Sequence, residues 1–332
     1  MNFALLSRPR TQAILEGRLK LDGLPIHWHP VSDPLRWVPP SEKRPHGFLS
    51  GEFDGGEMSI SSFIQAKSQG APLLALPIFL KRGLVQRSLY CSVDSPLGSP
   101  EQLRGKRVGL VGYTSSMAVW IKGVLAEEYQ LSRSSPNWFT LTPSSQRTQV
   151  TTNLLEIPKD FLGEESEAWE ELDGYPHNLD RRECFLVSLL ERKELDAVVS
   201  FHPRIASNKI RPLLATEDKL WSHYQKTGVY PINHLFVMRE DLMTEFPKIA
   251  QVLMSAFKEA RKLWVDYLPN EKTEAMGKEM ERLGWDPFAY DFGELEKRAL
   301  KTFIVYLLEE KLISQKPPLD NLFPNDVIED KP

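Results

Sequence analysis

Short apolar runs alternate with segments of helical periodicity in this chain, and this alternation limits the folds open to it. Strands are predicted for residues 3–7, 24–31, 71–80 and 87–93, and helices for 10–17 and 61–70. Near Ser99 the pattern starts again, with a buried-strand run at 106–112 and helical periodicity over 117–129. Strands that alternate with helices are typical of an α/β sheet.

The second half of the chain indicates a return to the first sheet. A further strand is predicted at 229–240, and the sequence after it is mostly helical, with apolar residues three or four apart at 248–268 and 295–313. We therefore predict a two-lobed α/β protein with C-terminal helices and two or three crossings between lobes. Lobe 1 is discontinuous, 1–92 plus 228–332, and lobe 2 is 93–227. Because open α/β sheets bind ligands where strands end and helices begin, we expect the ligand in a cleft between the lobes.

Charge and composition exclude several classes of protein. The 332 residues include 41 Lys and Arg against 45 Asp and Glu, a net charge of −4, so there is no basic excess for nucleic acid or a membrane surface. The longest apolar run, 71–80, is too short to span a bilayer, and Arg8 and Arg10 interrupt the start before a secretory signal forms. Cys91 and Cys184 stand alone. We expect a cytoplasmic protein in a reducing compartment.

A glycine- and serine-rich segment at 54–62 lies where a predicted strand turns into a helix. Backbone N–H groups, together with Ser59 and Ser61, face outward there beside the positive end of the helix dipole, which suits a carboxylate ligand. Simple N-capping explains the serines equally well, and Glu57 has an alternative role as a dipole partner.

A second strand-to-helix junction carries Tyr113, Thr114 and Ser115. It lacks both the GxxxxGK[ST] phosphate loop and the GxGxxG fingerprint, so nucleotide binding is disfavoured. Two serine-rich helix starts in separate lobes suit one small anion held between them.

Basic residues and histidines supply further candidates. Arg82, in the cluster with Lys81 and Arg87, offers a guanidinium fork for a carboxylate, although a solvated hairpin is an equal alternative. His234 lies on an apolar strand, where a histidine is more often a satisfied core residue, and His202 and Arg204 follow another strand. The sequence shows no zinc motif. A zinc site assembled across the fold from His27, His29, His202 or His234 stays an alternative that only the number of histidines supports, and we predict no metal site.

Several segments resemble the 4,5-dihydroxyphthalate decarboxylase family, whose fold is similar to that of the type-2 periplasmic solute-binding proteins. They read SRPRTQAILEGRLKLDGL, GEFDGGEMSISSF, PIFLKRGLVQRSLYC, LRGKRVGLVGYTSSMAVWIKGVLAEEY, ELDAVVSFHPR, GVYPINHLFVMRED and FAYDFGELEKRALKTFIVYLLEEKLI. EMSISS and GVYPINH are the more specific. Arg8–Pro9, Gln86 and Thr114–Ser115 depart from the family pattern.

The resemblance implies a carboxy-lyase of aromatic catabolism that needs no cofactor and releases CO2 from a hydroxylated phthalate or benzoate. It implies His234 as the acid and Glu57 as the acceptor that faces the phenol. The residues expected to bind the substrate are Arg10, Ser59, Ser61, Arg82, Tyr113, Thr114, Ser115, His202 and Arg204.

Two other functions fit the same sequence. One is a non-catalytic intracellular binding protein for a small anion, with the same fold. The other is a relative of the pyrimidine-precursor synthases of thiamine formation, against which the two isolated cysteines argue.

Overall fold

The computed structural model describes residues 1–31, 35, 52–141, 152–156, 181–200, 209–267 and 270–325. Their strands are β1 (Asn2–Leu6), β2 (His27–Val31), β3 (Gly55–Ser59), β4 (Leu73–Arg82), β5 (Leu89–Ser92), β6 (Arg107–Leu110), β7 (Asn137–Thr140), β8 (Asn153–Leu154), β9 (Ala197–Val199), β10 (Ile210–Pro212) and β11 (Ile232–Arg239). Their α-helices are α1 (Pro9–Leu15), α2 (Ile60–Ser68), α3 (Ser116–Tyr129), α4 (Arg181–Glu191), α5 (Glu217–Thr227), α6 (Leu242–Glu245), α7 (Ile249–Leu263), α8 (Asn270–Leu283) and α9 (Glu294–Glu309).

The chain divides into two compact units. Unit 1 consists of Met1–Gly83, Tyr230–Ile304 and Ile313–Pro332, and unit 2 consists of Leu84–Val229 and Val305–Leu312. None of the helices in the described part of the chain combines the length and apolarity that a membrane span requires.

Unit 1 is built on a five-stranded sheet in the order β2-β1-β3-β11-β4. β1 runs parallel to β2 and β3, whereas β11 is antiparallel to its neighbours β3 and β4. β4 and β11 are almost wholly buried, as expected of near-continuous apolar strands in the middle of a covered sheet. β11 comes from the second half of the chain and lies between two strands of the first, so unit 1 is necessarily discontinuous.

Helix α7 supplies one side of the unit 1 core. Its residues Ile249, Leu253 and Phe257, spaced four apart on one face, pack with Phe3 and Phe236 of the sheet. The rings of Phe236 and Phe257 lie 5.6 Å apart, centroid to centroid. The helical periodicity seen in the sequence at 248–268 is thus the packing face of this helix.

Two glycines allow β3 to lie close to its neighbours. At Gly56, whose φ is +151°, a Cβ atom would lie 2.1 Å from the carbonyl oxygen of Ala4. At Gly55 it would lie 2.7 Å from the carbonyl oxygen of Val237. Any side chain here would push β1 or β11 away, and these glycines therefore fix the position of the next residue, Glu57.

Unit 2 contains a six-stranded sheet in the order β10-β5-β9-β6-β7-β8. β6 is parallel to β7 and β9, and β5 is antiparallel to β9 and β10. Helix α3 is buried from Ser116 to Leu125. At Gly123 a Cβ atom would lie 2.1 Å from the ring of Tyr306, so the late segment 305–312 packs directly on this helix.

The unit boundaries differ from the predicted lobes in three places, of which the shortest is residues 228–229, predicted in lobe 1 and found in unit 2. Residues 84–92, predicted in lobe 1, belong to unit 2 because β5 pairs with β9 and β10. Residues 305–312, also predicted in lobe 1, belong to unit 2, where Glu310 accepts a hydrogen bond from the buried Lys122 ammonium at 2.9 Å.

Candidate active site in unit 1

One edge of the unit 1 sheet brings together Glu57 and His234, which the sequence predicts as site residues, and Arg8. The carboxyl ends of β1, β3 and β4 meet there with the amino end of β11. Arg8 follows β1, Glu57 lies near the end of β3, and His234 pairs in register with Ser59 of β3 and Lys81 of β4. Ligands of open α/β sheets bind at this kind of edge.

Glu57 connects two of these groups. His234 Nδ1 lies 2.6 Å from Glu57 Oε1, and Arg8 Nη1 forms an ion pair with the same oxygen at 2.9 Å. The Glu57 side chain has no exposed area, whereas those of His234 and Arg8 are 11% and 24% exposed. We call these three residues the Arg8–Glu57–His234 cluster. Because Glu57 is enclosed, the structure corrects the expectation that this carboxylate faces a phenol. It faces His234 and Arg8.

Opposing effects set the protonation of the cluster. Burial would raise the pKa of Glu57, but the charge of Arg8, the hydrogen bond and charge of His234 and the charge of Arg10 outweigh it and hold this pKa at about 2. Burial lowers the pKa of His234 to about 4, with Lys81 and Arg8 adding to the decrease and Glu57 opposing it. At neutral pH the cluster therefore holds an ionised Glu57 and a neutral His234.

The short contact with an ionised carboxylate assigns the tautomer of His234. Nδ1 must carry the proton, because two lone pairs facing each other at 2.6 Å would repel. Nε2 then has a lone pair, and it has no hydrogen-bond partner among the described residues. This nitrogen is the one free to exchange a proton with a ligand.

Arg10 is the second guanidinium near Glu57. Its Cζ lies 4.3 Å from the ring centroid of Phe288 and 4.8 Å from that of Trp264, and Nη1 donates to the carbonyl of Leu80. Burial, followed by the nearby charge of Arg8, lowers the pKa of Arg10 to about 10. Arg10 is thus held in place by aromatic rings while it adds positive charge beside Glu57.

The serines of the 54–62 segment have structural partners. Ser59 is the N-cap of α2, and its hydroxyl accepts a hydrogen bond from the backbone N–H of Ser62 at 3.1 Å. Ser61 is fully buried, and its hydroxyl accepts from Gln65 Nε2 at 2.9 Å. Capping therefore accounts for Ser59, and a ligand-binding role for either serine stays a prediction.

Arg82 lies in the interior of unit 1. Its side chain is 1% exposed, and Nη1 donates to Glu296 Oε1 at 2.8 Å. Nη2 donates to the carbonyl of Tyr230 at 3.2 Å, and the Trp285 ring lies 4.8 Å from the guanidinium. Its guanidinium is thus enclosed and already paired with a carboxylate, and binding of a substrate carboxylate by Arg82 stays a prediction.

The junction residues of unit 2 also have internal roles. Tyr113 is buried, and its hydroxyl donates to Glu310 at 2.8 Å, so this phenol has a structural partner and a substrate contact by it stays a prediction. Ser115 is the N-cap of α3 and accepts from the N–H of Ala118 at 3.3 Å. Thr114 is partly buried beside them, and substrate binding by Thr114 and Ser115 stays a prediction.

Two predicted residues, His202 and Arg204, lie outside the described residues. Within the part of the chain that the structure describes, no three His, Cys, Asp or Glu side chains are grouped as metal ligands would be.

The structure adds Arg8 to the site. Its place in the sequence could have indicated a site residue, because Arg8 follows a predicted strand and immediately precedes Pro9 at the start of a helix. The sequence did not reveal that Arg8 and Glu57 would be neighbours, because β1 and β3 are joined through a long intervening segment.

Comparison with solved structures defines the class of fold. The aliphatic sulphonate binding protein SsuA of Escherichia coli superimposes with a TM-score of 0.58 at 12% identity, over 99% of this chain and 98% of SsuA. The desulfurization enzyme DSZB gives a TM-score of 0.54 at 14% identity, over 98% of this chain and 97% of that protein. The chain has the fold of the periplasmic solute-binding proteins, as predicted.

Sequence comparison is more specific. The 4,5-dihydroxyphthalate decarboxylase of Comamonas testosteroni is 24% identical over 270 residues, which cover 79% of this chain and 74% of the relative. The enzyme of the same name from Pseudomonas putida is 26% identical over 209 residues, covering 62% and 71%. No protein-family model matches the chain. The two relatives confirm the resemblance to the 4,5-dihydroxyphthalate decarboxylases.

Proposed function

We propose that this protein is a decarboxylase that needs no cofactor and removes CO2 from a hydroxylated aromatic carboxylate of the phthalate or benzoate type. The observation that carries the proposal is the 2.6 Å contact between His234 and the buried Glu57, held beside Arg8. A histidine oriented by an ionised carboxylate is a common arrangement for moving a proton.

The reaction requires one proton and an aromatic ring with enough electron density to accept it. A hydroxyl para to the leaving carboxylate donates electron density into the ring, and the carbon that bears the carboxylate accepts a proton. The bond to the carboxylate then breaks, CO2 leaves, and the ring regains its aromaticity. One proton is consumed for each CO2 released.

Each member of the cluster has a role in this chemistry. His234 Nε2 delivers the proton to the ring carbon, and Glu57 orients the imidazole and stabilises its charged form. Arg8 and Arg10 attract the carboxylate groups of the substrate. Glu57 thus acts through His234 as a positioning residue and does not touch the substrate.

The two named relatives support decarboxylation more than they support binding alone. Fold does not decide between the two, since the neighbours include both a sulphonate-binding protein and a desulfurization enzyme. A carboxylate and a histidine in direct contact at the ligand-binding edge of the sheet favour the enzyme.

The test is incubation of the purified protein with 4,5-dihydroxyphthalate, 4-hydroxybenzoate and phthalate, with CO2 and the aromatic product measured separately. We expect equal amounts of CO2 and decarboxylated product from at least one hydroxylated acid, none from phthalate, and an unchanged rate after dialysis against EDTA. Saturable binding of these acids without CO2 release from any of them would contradict the proposed decarboxylase and support a non-catalytic binding protein.

A further inference from the structure

Arg8 is the member of the cluster that an incoming anion reaches first. Its side chain is 24% exposed, whereas that of Glu57 is fully enclosed. In the described residues its guanidinium has one side-chain partner, Glu57 Oε1. A guanidinium has five N–H donors, so Arg8 retains donors for a second carboxylate.

The charged groups around His234 come from each element packed against β11. Glu57 lies on the neighbouring strand β3, Lys81 lies in register on β4, and Arg8 precedes α1. Helix α2 has Lys67 in its last turn as its sole ionisable side chain. Arg10 of α1 helps to lower the pKa of Glu57, the carboxylate that contacts His234.

Without a ligand, this environment keeps the imidazole neutral. Burial is the largest cause of the low pKa of His234, and the charges of Lys81 and Arg8 add to it. A neutral imidazole has no proton to give from Nε2. The proposed reaction nevertheless needs a proton at the ring carbon, so the proton must arrive when the substrate does.

We propose that Arg8 binds a carboxylate of the substrate, and that this binding brings a proton from solvent onto His234 Nε2. The inference rests on the proposed function for the identity of the substrate. A bound carboxylate offsets the positive charge of Arg8 and adds a negative charge close to the imidazole, and both effects favour the imidazolium. The proton then moves from Nε2 to the ring carbon as CO2 leaves, and His234 returns to its neutral form.

Calorimetric titration with phthalate at pH 7 tests this linkage, because phthalate is fully ionised there and lacks the hydroxyl that decarboxylation needs. We expect the binding enthalpy to vary between phosphate and Tris buffers, with an uptake of roughly half a proton or more per bound phthalate. Arg8→Gln should raise the Kd about tenfold or more and abolish the uptake. Arg8→Lys should keep part of the affinity and part of the proton uptake. His234→Asn should bind phthalate without proton uptake.

Arg18→Gln is the matched control, since Arg18 lies in the same unit, is exposed and contacts Tyr267. It should leave both affinity and uptake unchanged. Thermal melts establish that each variant is folded. Phthalate binding without any buffer dependence, an unaltered Kd in folded Arg8→Gln, or no phthalate binding to the parent protein would each overturn the inference.

The two proposals fail in different ways. Release of CO2 from a hydroxylated acid, without proton uptake on phthalate binding, would contradict the proposed proton linkage and support the proposed decarboxylase. Proton uptake that depends on Arg8 and His234, with no CO2 from any acid tested, would support the proposed proton linkage and contradict the proposed decarboxylase.

Discussion

At the scale of single residues, the site depends on how one buried carboxylate is shared. Oε1 of Glu57 serves both Arg8 and His234, while Oε2 is buried and has no hydrogen-bond partner among the described residues. An oxygen without a partner in the interior costs free energy. The charge of Arg8 offsets that cost, and the same charge adds to the effect of burial, which lowers the pKa of His234.

Replacing His234 separates a catalytic role from a purely structural one. His234→Asn should fold normally and lose about 10²- to 10⁴-fold in the rate of CO2 release per folded molecule, the usual contribution of a general acid. Rates are measured on material whose folded fraction is known from circular dichroism. His27→Asn, at an exposed histidine of the same unit, should keep the parent rate. A stable His234→Asn protein with near-normal turnover would exclude His234 from the mechanism.

The same residue predicts how stability depends on pH. The pKa of His234 is about 4 in the folded protein and about 6.5 in an unfolded chain, so the unfolded state binds more protons between these values. Stability therefore rises with pH across this window and is lost as pH falls from about 6.5 to 4, by roughly 2–4 kcal/mol. Glu57, whose folded pKa is about 2, extends the loss to lower pH, below its unfolded value of about 4.3.

Urea unfolding at pH 7.5, 6, 5 and 4 measures this dependence. In His234→Asn the part of the decline between pH 6.5 and 4 should disappear. An identical pH dependence in parent and variant would show that His234 is not buried in its neutral form.

Some site residues can be predicted from the sequence and others cannot. Glu57 and His234 stand out because each lies in a specific segment, EMSISS or GVYPINH, and the fold brings them together. The ion pair of Arg82 is not predictable, because a basic residue at the end of a strand looks the same in sequence whether it contacts solvent or Glu296. Partners that are more than 200 positions apart leave no local pattern.

At the scale of the elements, glycine positions decide which segments approach closely. In α3, the absence of a side chain at Gly123 lets the Tyr306 ring rest on the helix backbone. In α8, Gly277 has no neighbouring atom within 4 Å of where a Cβ would lie. The two helical glycines thus have opposite surroundings.

Alanine at these two positions should change stability in opposite directions. Gly123→Ala should lower the free energy of unfolding by about 1–3 kcal/mol, because the new methyl group overlaps the Tyr306 ring. Gly277→Ala should raise it by about 0.5–1 kcal/mol, since alanine restricts the unfolded chain and favours the helix. Equal effects of the two substitutions in urea unfolding would contradict the close packing at Gly123.

Helices and strands were predicted better than their grouping. The patterns at 61–70, 106–112 and 117–129 correspond to α2, β6 and α3. The assignment of residues 84–92 failed, because apolar alternation predicts a strand without showing which sheet it joins. Strand partners are set by packing between distant segments, and this information is not local.

At the scale of the whole molecule, a buried ion pair ties the late segment 305–312 into unit 2. Lys122 and Glu310 have fully enclosed side chains and meet at 2.9 Å, and Tyr113 donates to the same carboxylate. Burial lowers the pKa of Lys122 to about 8, although Glu310 opposes the decrease. Such a pair costs desolvation when it forms and far more when one partner is removed.

Breaking this pair should loosen the late segment. Lys122→Met should cost about 3–5 kcal/mol of stability, because it leaves Glu310 buried without its cation. Hydrogen exchange in residues 305–312 should accelerate more than exchange in the unit 1 sheet. Lys262→Met is the control, since Lys262 forms an exposed pair with Glu259 that should contribute less than about 1 kcal/mol. Unchanged exchange in 305–312 of Lys122→Met would show that the pair does not hold the segment.

The position of β11 also determines when the molecule can finish folding during synthesis. A ribosome completes β4 early, but β11, the sole sheet neighbour of β4 among the described strands, emerges only after residues 83–231 have been made. Folding of unit 2 is complete only later, after residues 305–312 have been synthesised. An apolar strand edge therefore stays unpaired while residues 83–231 are synthesised, and such edges promote aggregation. In a cell, the nascent chain should depend on chaperones far more than a protein whose two domains follow one another.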